Sequence, residues 1–323
     1  MTNIVVTAKT DKRLFLRQYG TVIGALAIFA VFSVMSENFL RVTNLLMLLR
    51  QMSMLTIVSL GFTFVMAAGG FDMSIGNAVG LVNIILALVL IKTKNVLLSM
   101  LVALALGMGI GCINGLLVAY VGLADFIATF AVGSIVYGLK MLITKGNPIF
   151  FDSSIPSSFF FIGQGYVGPI PLPVILMMIF VVIGIYILDR TALGRRVYAI
   201  GGNPVASLYA GIDIKKHRLI TFIISGLTMA IAAVILTSRL GSAQPLAGEE
   251  FMLDAIAVVF LSTTMFGDGE CTGKGTFVGA LIISMLTNGL TMLNVPYYFQ
   301  YITKGLVVIF AVVLSIVLGQ RSK

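Results

Sequence analysis

Two aspartates stand in stretches otherwise suited to a membrane interior, and they set the first question about chemistry. Asp72 lies in Gly69-Gly70-Phe71-Asp72-Met73-Ser74-Ile75-Gly76-Asn77. Asp254 lies in Asp254-Ala255-Ile256-Ala257, behind the polar run Ser242-Ala243-Gln244-Pro245. A carboxylate at such a depth costs several kcal/mol unless helix N–H groups or a cation meet it. Gly69 and Gly70 suit the end of one helix, and Asp72 or Ser74 suits the start of the next, where the helix dipole favours negative charge. Asp72 therefore reads as a structural cap or as a contact on a polar route, the cap being the simpler. Asp254 either lines such a route or caps its helix locally.

A second kind of chemistry is docking. The stretch from Leu193 to Ile212 contains Gly201-Gly202-Asn203-Pro204-Val205-Ala206-Ser207-Leu208-Tyr209-Ala210-Gly211. Asn203 is a good N-cap, Pro204 a good first helical residue and Gly211 a good stop. A two-turn helix between them would carry Val205, Leu208 and Tyr209 on one face. Such a helix fits the groove of a soluble partner; the alternative is a helix resting on the bilayer surface.

Bond-making chemistry finds no support, and the chain is not expected to be an enzyme. Gly267-Asp268-Gly269-Glu270-Cys271-Thr272-Gly273-Lys274-Gly275-Thr276 imitates a phosphate-binding loop. That motif needs Gly at its first position and Ser or Thr after the Lys, and here those positions hold Asp268 and Gly275. ATP-driven work would then fall to another subunit, and no cofactor is expected on this chain. The lone His217 belongs to a Lys215-Lys216-His217-Arg218 edge run that marks topology, and no His/Cys/Glu cluster suggests a metal. Asn83, Asn114, Asn288 and Thr129 fall in apolar runs, where amides and hydroxyls more often join helices than bind cargo.

The elements that must position these residues follow from composition. The chain has 323 residues, 59% hydrophobic and 10% charged, against about 25% charged in soluble domains. Its mean hydropathy is +1.08. This is the composition of an all-α polytopic membrane protein. Although the net charge is +9, the basic residues are scattered between apolar runs, which argues against nucleic acid. About ten spans of roughly 20 residues are expected, near 20–36, 45–66, 78–91, 96–120, 125–143, 173–188, 219–238, 251–266, 276–293 and 299–318. The stretches 69–77 and 262–275 read as broken or re-entrant, which is tolerated only inside protein or beside a cavity.

Basic residues set the orientation. Lys9, Lys12, Arg13, Arg17, Arg190, Arg195, Arg196, Lys215, Lys216, Arg218, Lys274, Arg321 and Lys323 fall on one side, and only Arg41, Lys92, Lys94, Lys145 and Arg239 on the other. Both termini are thus expected in the cytoplasm. The expected organisation is a cytoplasmic segment 1–19, a single membrane domain 20–318 and a tail 319–323, with 144–172 outside and 189–218 inside. The first apolar run lacks a cleavage site and reads as an uncleaved span. Phe159, Phe160 and Phe161 in the external loop read as a lipid-interface or docking surface. Asn114-Gly115-Leu116 and Asn288-Gly289-Leu290, each downstream of a Gly-rich break, suggest an internal repeat.

From Glu37 to Leu318 these motifs, in this order and spacing, resemble the ribose-type permease subunit of bacterial ATP-binding cassette (ABC) importers. The matching pieces are Asn38-Phe39, Gly69 to Gly76, Phe126-Ile127-Ala128-Thr129, Leu193 to Ile212, Ser242 to Pro245 and Asp254-Ala255-Ile256-Ala257. The resemblance implies a bacterial inner-membrane subunit paired with a second permease copy or a paralogous one. Cytoplasmic ABC ATPase subunits would bind below, and a periplasmic or lipoprotein sugar-binding protein would dock above. It makes Asn203–Gly211 the coupling helix and puts Asp72 and Asp254 at helix breaks on the translocation route. The implied cargo is a monosaccharide, a pentose before a hexose.

Three departures stand out: Phe251-Met252-Leu253 for the family's Tyr-Glu-Leu, Ser262-Thr263-Thr264 for Gly-Gly-Thr, and a second break carrying Asp268 and Glu270. They leave room for a heterodimer, and for a nucleoside, a furanosyl signal molecule or a branched-chain amino acid as cargo. An ion-coupled secondary carrier is the alternative of a different class. It would want ionisable pairs inside spans, and Asp72, Asp254, Lys140 and Lys304 have no obvious partners in sequence.

Overall fold

A computed structural model describes residues 23–265 and 269–319, without side chains for 314–319. The basic N-terminal residues Lys9 to Arg17, the Gly267 and Asp268 positions and the C-terminal tail lie outside the described residues. The helices are α1 (Ile23–Met35), α2 (Val42–Ala67), α3 (Ile75–Thr93), α4 (Val96–Leu116), α5 (Asp125–Thr144), α6 (Ser157–Gln164) and α7 (Leu172–Arg190). They continue with α8 (Ala192–Gly202), α9 (Pro204–Tyr209), α10 (Ile214–Leu240), α11 (Glu249–Thr263), α12 (Gly273–Met292) and α13 (Tyr297–Gly319). A π-helical turn, Leu117–Val121, prolongs α4.

Each span expected from hydropathy falls on one of these helices. Among the described residues, seven helices, namely α2, α3, α4 with its π turn, α5, α7, α10 and α12, are long and apolar enough to cross a membrane. The chain is an all-α polytopic membrane protein. Caps explain where hydropathy misplaced the ends: α10 begins at Ile214 rather than near 219 because the Asp213 side chain accepts from the Lys216 N–H.

The apolar windows of α2, α3 and α10 are 67% buried, against 28% for α4 and α7 and 33% for α5. The first three form the centre of the bundle; the others turn Leu101, Ile113, Phe126, Ile127, Val182 and Tyr186 outward. Small residues allow the tightest contact. Gly107, Gly111 and Gly115 recur every fourth residue on α4 and meet Gly226, Phe222 and Leu219 of α10. A Cβ on Gly111 would overlap the Phe222 carbonyl oxygen, and one on Gly226 the Gly107 oxygen. In lipid, where apolar side chains gain little from leaving the solvent, such backbone approach is a main source of helix association.

Two short ribbons sit among the connections. β1 (Ile149–Phe150) pairs antiparallel with β4 (Ser242–Ala243), and β2 (Tyr166–Val167) with β3 (Ile170–Pro171). The expected Phe-Phe-Phe surface is divided. Phe159 is fully buried, edge-on to Phe151 at 5.6 Å, and Phe160 packs behind it, while Phe161 is exposed. Helix α6 carries the three rings and is fastened by the Ser238 hydroxyl, which donates to the Phe159 carbonyl at 2.6 Å and accepts from the Gly163 N–H at 2.7 Å.

Candidate functional site

The first break falls where the sequence suggests, although Ser74, at the N-cap position of α3, makes no side-chain capping bond and is held by Asp72 instead. α2 ends at Ala67, Gly69 takes a left-handed φ of 72°, and α3 starts after Ser74. Asp72 is fully buried. Its Oδ1 accepts from the Ser74 N–H at 2.9 Å and the Ser74 hydroxyl at 2.7 Å, and its Oδ2 accepts from the Ser225 hydroxyl at 3.1 Å. The Asn114 amide donates to the Ser74 hydroxyl at 2.8 Å. One carboxylate therefore joins α3, α4 and α10, and its oxygens are turned toward protein donors.

The other buried amides are also spent on helix joints. Asn83 donates to the Gln244 carbonyl at 3.0 Å and accepts from Thr237 at 2.8 Å. Asn44 and Asn288 exchange amide hydrogen bonds at 3.0 Å. Thr129 accepts from the Met73 N–H at 2.9 Å.

Gln244 and Pro245 lie against α3, where a Cβ on Gly80 would come within 2.9 Å of the Pro245 carbonyl oxygen. Gly76 makes the same kind of approach to Gly248 and Glu249 at the start of α11. The first break and the 244–249 segment are thus in contact, but Asp72 and Asp254 share no partner. Asp254 turns to α13, where Lys304 Nζ lies 3.0 Å from its carboxylate and 3.7 Å from Glu250. Lys140 of α5, also fully buried, pairs with Glu249 at 2.9 Å and stands 4.9 Å from the centre of the Tyr137 ring.

These pairings correct the expectation that Lys140, Lys304 and Asp254 are unpartnered. Their signal was present in the sequence, since two lysines inside spans require acids, and Glu249-Glu250 stands at the mouth of α11. The separations of 109 and 50 residues hid which acid meets which lysine.

The 201–211 segment folds with the caps expected of it. The Asn203 side chain accepts from the Ala206 N–H at 3.0 Å, Pro204 begins α9, and Gly211 has φ 78°. Val205, Leu208 and Tyr209 are 63%, 61% and 87% exposed, so the apolar face is uncovered by the described residues. Ala206 is exposed as well, and only Ser207 of this helix is buried.

Behind α9, the preceding helix α8 is held down by buried Val197 and Ile200. Gly201 and Gly202 close it, and Gly201 sits against the Ala67 carbonyl at the end of α2. The Tyr198 hydroxyl donates to the Cys271 carbonyl at 3.0 Å, and burial pushes that phenol above its ordinary pKa, keeping it a donor. The Lys215–Arg218 run also makes tertiary contacts. Arg218 donates to the Gly69 carbonyl at 3.2 Å and to Asp125 at 3.1 Å, while Asp125 accepts from the Phe71 N–H.

At the second break, Thr272 caps α12 by accepting from the Gly275 N–H, and Lys274 pairs with Asp189 at 3.1 Å. Among the described residues, no group of His, Cys, Asp and Glu is gathered closely enough to hold a metal ion.

Comparison with known proteins gives this geometry its context. The model of the family described as branched-chain amino acid transport system / permease component matches residues 42–312. The chain is 38% identical to the ribose import permease protein RbsC of Haemophilus influenzae over 95% of each chain. It is equally identical to the RbsC of Bacillus subtilis over 93% of each. To the D-allose transport system permease protein AlsC of Escherichia coli it is 36% identical, over 94% of this chain and 92% of that one. No solved structure gives a significant match.

Proposed function

The chain belongs to the branched-chain amino acid transport system / permease component family, and on that premise we propose that it is the membrane-spanning subunit of an ABC importer for a monosaccharide, ribose-like in size. The reading rests on one observation above the others. α9 is a capped, two-turn helix whose apolar face of Val205, Leu208 and Tyr209 is open, and its stalk α8 is seated directly on both helix breaks. A partner that pushes on α9 has a mechanical path to the membrane domain. The names of the relatives, which speak of ribose and allose, support a sugar as cargo.

In this reading α9 faces the cytoplasm of a bacterial cell, as do both termini, and the membrane is the inner one. Residues 20–318 act as a single permease domain. ATPase subunits hold α9, a sugar-binding protein delivers cargo to the opposite face, and a second permease, identical or paralogous, completes the pore. Asp72 serves the pathway indirectly, by fixing the first break through Ser74, Asn114 and Ser225. Neither an enzymatic activity nor a resident cofactor is part of the proposal.

An ion-coupled carrier is the second reading, favoured by the Lys140–Glu249 and Lys304–Asp254 pairs. One experiment separates the two. The tagged protein is purified from its own host in mild detergent and its partners are read by mass spectrometry. Recovery of a P-loop ATPase with wild type, lost with Ala206→Glu, supports the importer. Uptake of ribose into ATP-free vesicles by the isolated chain would overturn it in favour of the carrier.

A further inference from the structure

α8 touches two places that are far apart in sequence. Through Gly201 it abuts the Ala67 carbonyl and, at 3.5 Å from the position of a Cβ on Gly69, the turn that ends α2. Through the Tyr198 hydroxyl it grips the Cys271 carbonyl, one residue before the Thr272 cap of α12. Between these two contacts lies a cavity of about 160 Å³, bordered by Met66, Ala67, Gly202 and Cys271 as well as by Tyr198. The space is half open to the surface beside exposed Gly202 and Glu270, and it borders the Tyr198 flank of α8. Buried Val197 and Ile200 seat α8 on the bundle, and among its contacts the Gly201 abutment reaches the end of α2 while the Tyr198 hydrogen bond reaches the start of α12.

We propose that Tyr198 is a positioning residue for transport, making α8 a lever that shifts the first and second helix breaks together. Displacement of α9 is passed through α8, the cavity supplies the room, and the Tyr198–Cys271 bond carries the motion to the start of α12. Without that bond α8 moves the end of α2 alone. This inference rests on the importer reading of α9.

The test uses the whole transporter in liposomes, with its own ATPase and binding protein, and radiolabelled D-ribose as the probe. Tyr198→Phe keeps the ring and removes the donor. Its maximal uptake rate is expected to fall about tenfold, with KM unchanged, the ATPase still bound and ATP hydrolysis still running. Gly202→Leu, at a position where a Cβ meets no atom within 4 Å, is expected to fill the cavity and give the same loss.

Cys271 supplies a readout that a purely structural role would not move. In a Cys112→Ser background, its labelling rate by N-ethylmaleimide is expected to change on vanadate trapping in wild type and to stay constant in Tyr198→Phe. Uptake by Tyr198→Phe at the wild-type rate, or the same change in labelling in both proteins, would overturn the lever. A wild-type protein that binds no ATPase would instead defeat the importer reading itself.

Discussion

Lys304 of α13 and Asp254 of α11 meet at 3.0 Å with side chains 5% and 10% exposed, an ion pair almost closed to solvent. Breaking such a pair from one side leaves a buried charge and costs about 3–5 kcal/mol, whereas replacing both members by apolar groups is close to neutral. Lys304→Met is therefore expected to lower the thermal unfolding midpoint in detergent sharply. Lys304→Met combined with Asp254→Leu is expected to restore most of it. If the double variant transports as well as it folds, the pair is a fastener of α11 and takes no part in ion coupling.

Asp72 allows the structural and cargo-contact readings to be separated. Asp72→Asn keeps an acceptor for the Ser74 N–H and fits beside the Ser225 hydroxyl, so near-normal folding and uptake are expected. Asp72→Leu strands the Ser74 and Ser225 donors, at about 1–3 kcal/mol for each buried group left unpaired. Its expected outcome is loss of the monodisperse peak in size-exclusion chromatography. Normal folding of Asp72→Asn with abolished uptake would instead point to contact with cargo.

The cap of α9 is separable from its face. Asn203→Ala removes the acceptor for the Ala206 N–H, worth about 1 kcal/mol in a helix that has few other internal bonds. ATPase capture is expected to weaken about fivefold, measured as the apparent Kd of the purified partners. Asn203→Asp or Asn203→Ser retains an acceptor and should bind nearly as wild type does.

Gly111→Leu forces a side chain into the Phe222 carbonyl across the α4–α10 contact. The helices must part, at a cost of about 1–3 kcal/mol or more, and a lower thermal midpoint checks this. Gly109→Leu is the control, since a Cβ there meets nothing within 4 Å.

Local chemistry in this chain was legible; long-range pairing was not. The Asn203-Pro204 start of α9, the Gly69-Gly70 end of α2 and the apolar runs can each be read from a few neighbouring residues, because caps and left-handed turns are decided within one turn of chain. The partners of Lys140 and Lys304 lie on other helices, so their positions depend on how α5, α11 and α13 pack. The Tyr198–Cys271 contact is of the same kind, a donor and a backbone oxygen 73 residues apart. The glycines at 107, 111 and 115 did carry a readable four-residue stripe, though it names a close-packed face without naming its partner.

That stripe also limits how the molecule can work. Where backbones touch through glycine few side chains intervene, and α4 and α10 are held close along this seam, with Leu219 against Gly115. They form a stator, and Asp72, tied to α4 through Ser74 and Asn114 and to α10 through Ser225, bolts the start of α3 to it. On the importer reading, a stroke delivered at α9 is expected at the α2 end and at the pair α11 and α12, which Gly275 and Gly279 hold backbone to backbone against Ser262 and Val258.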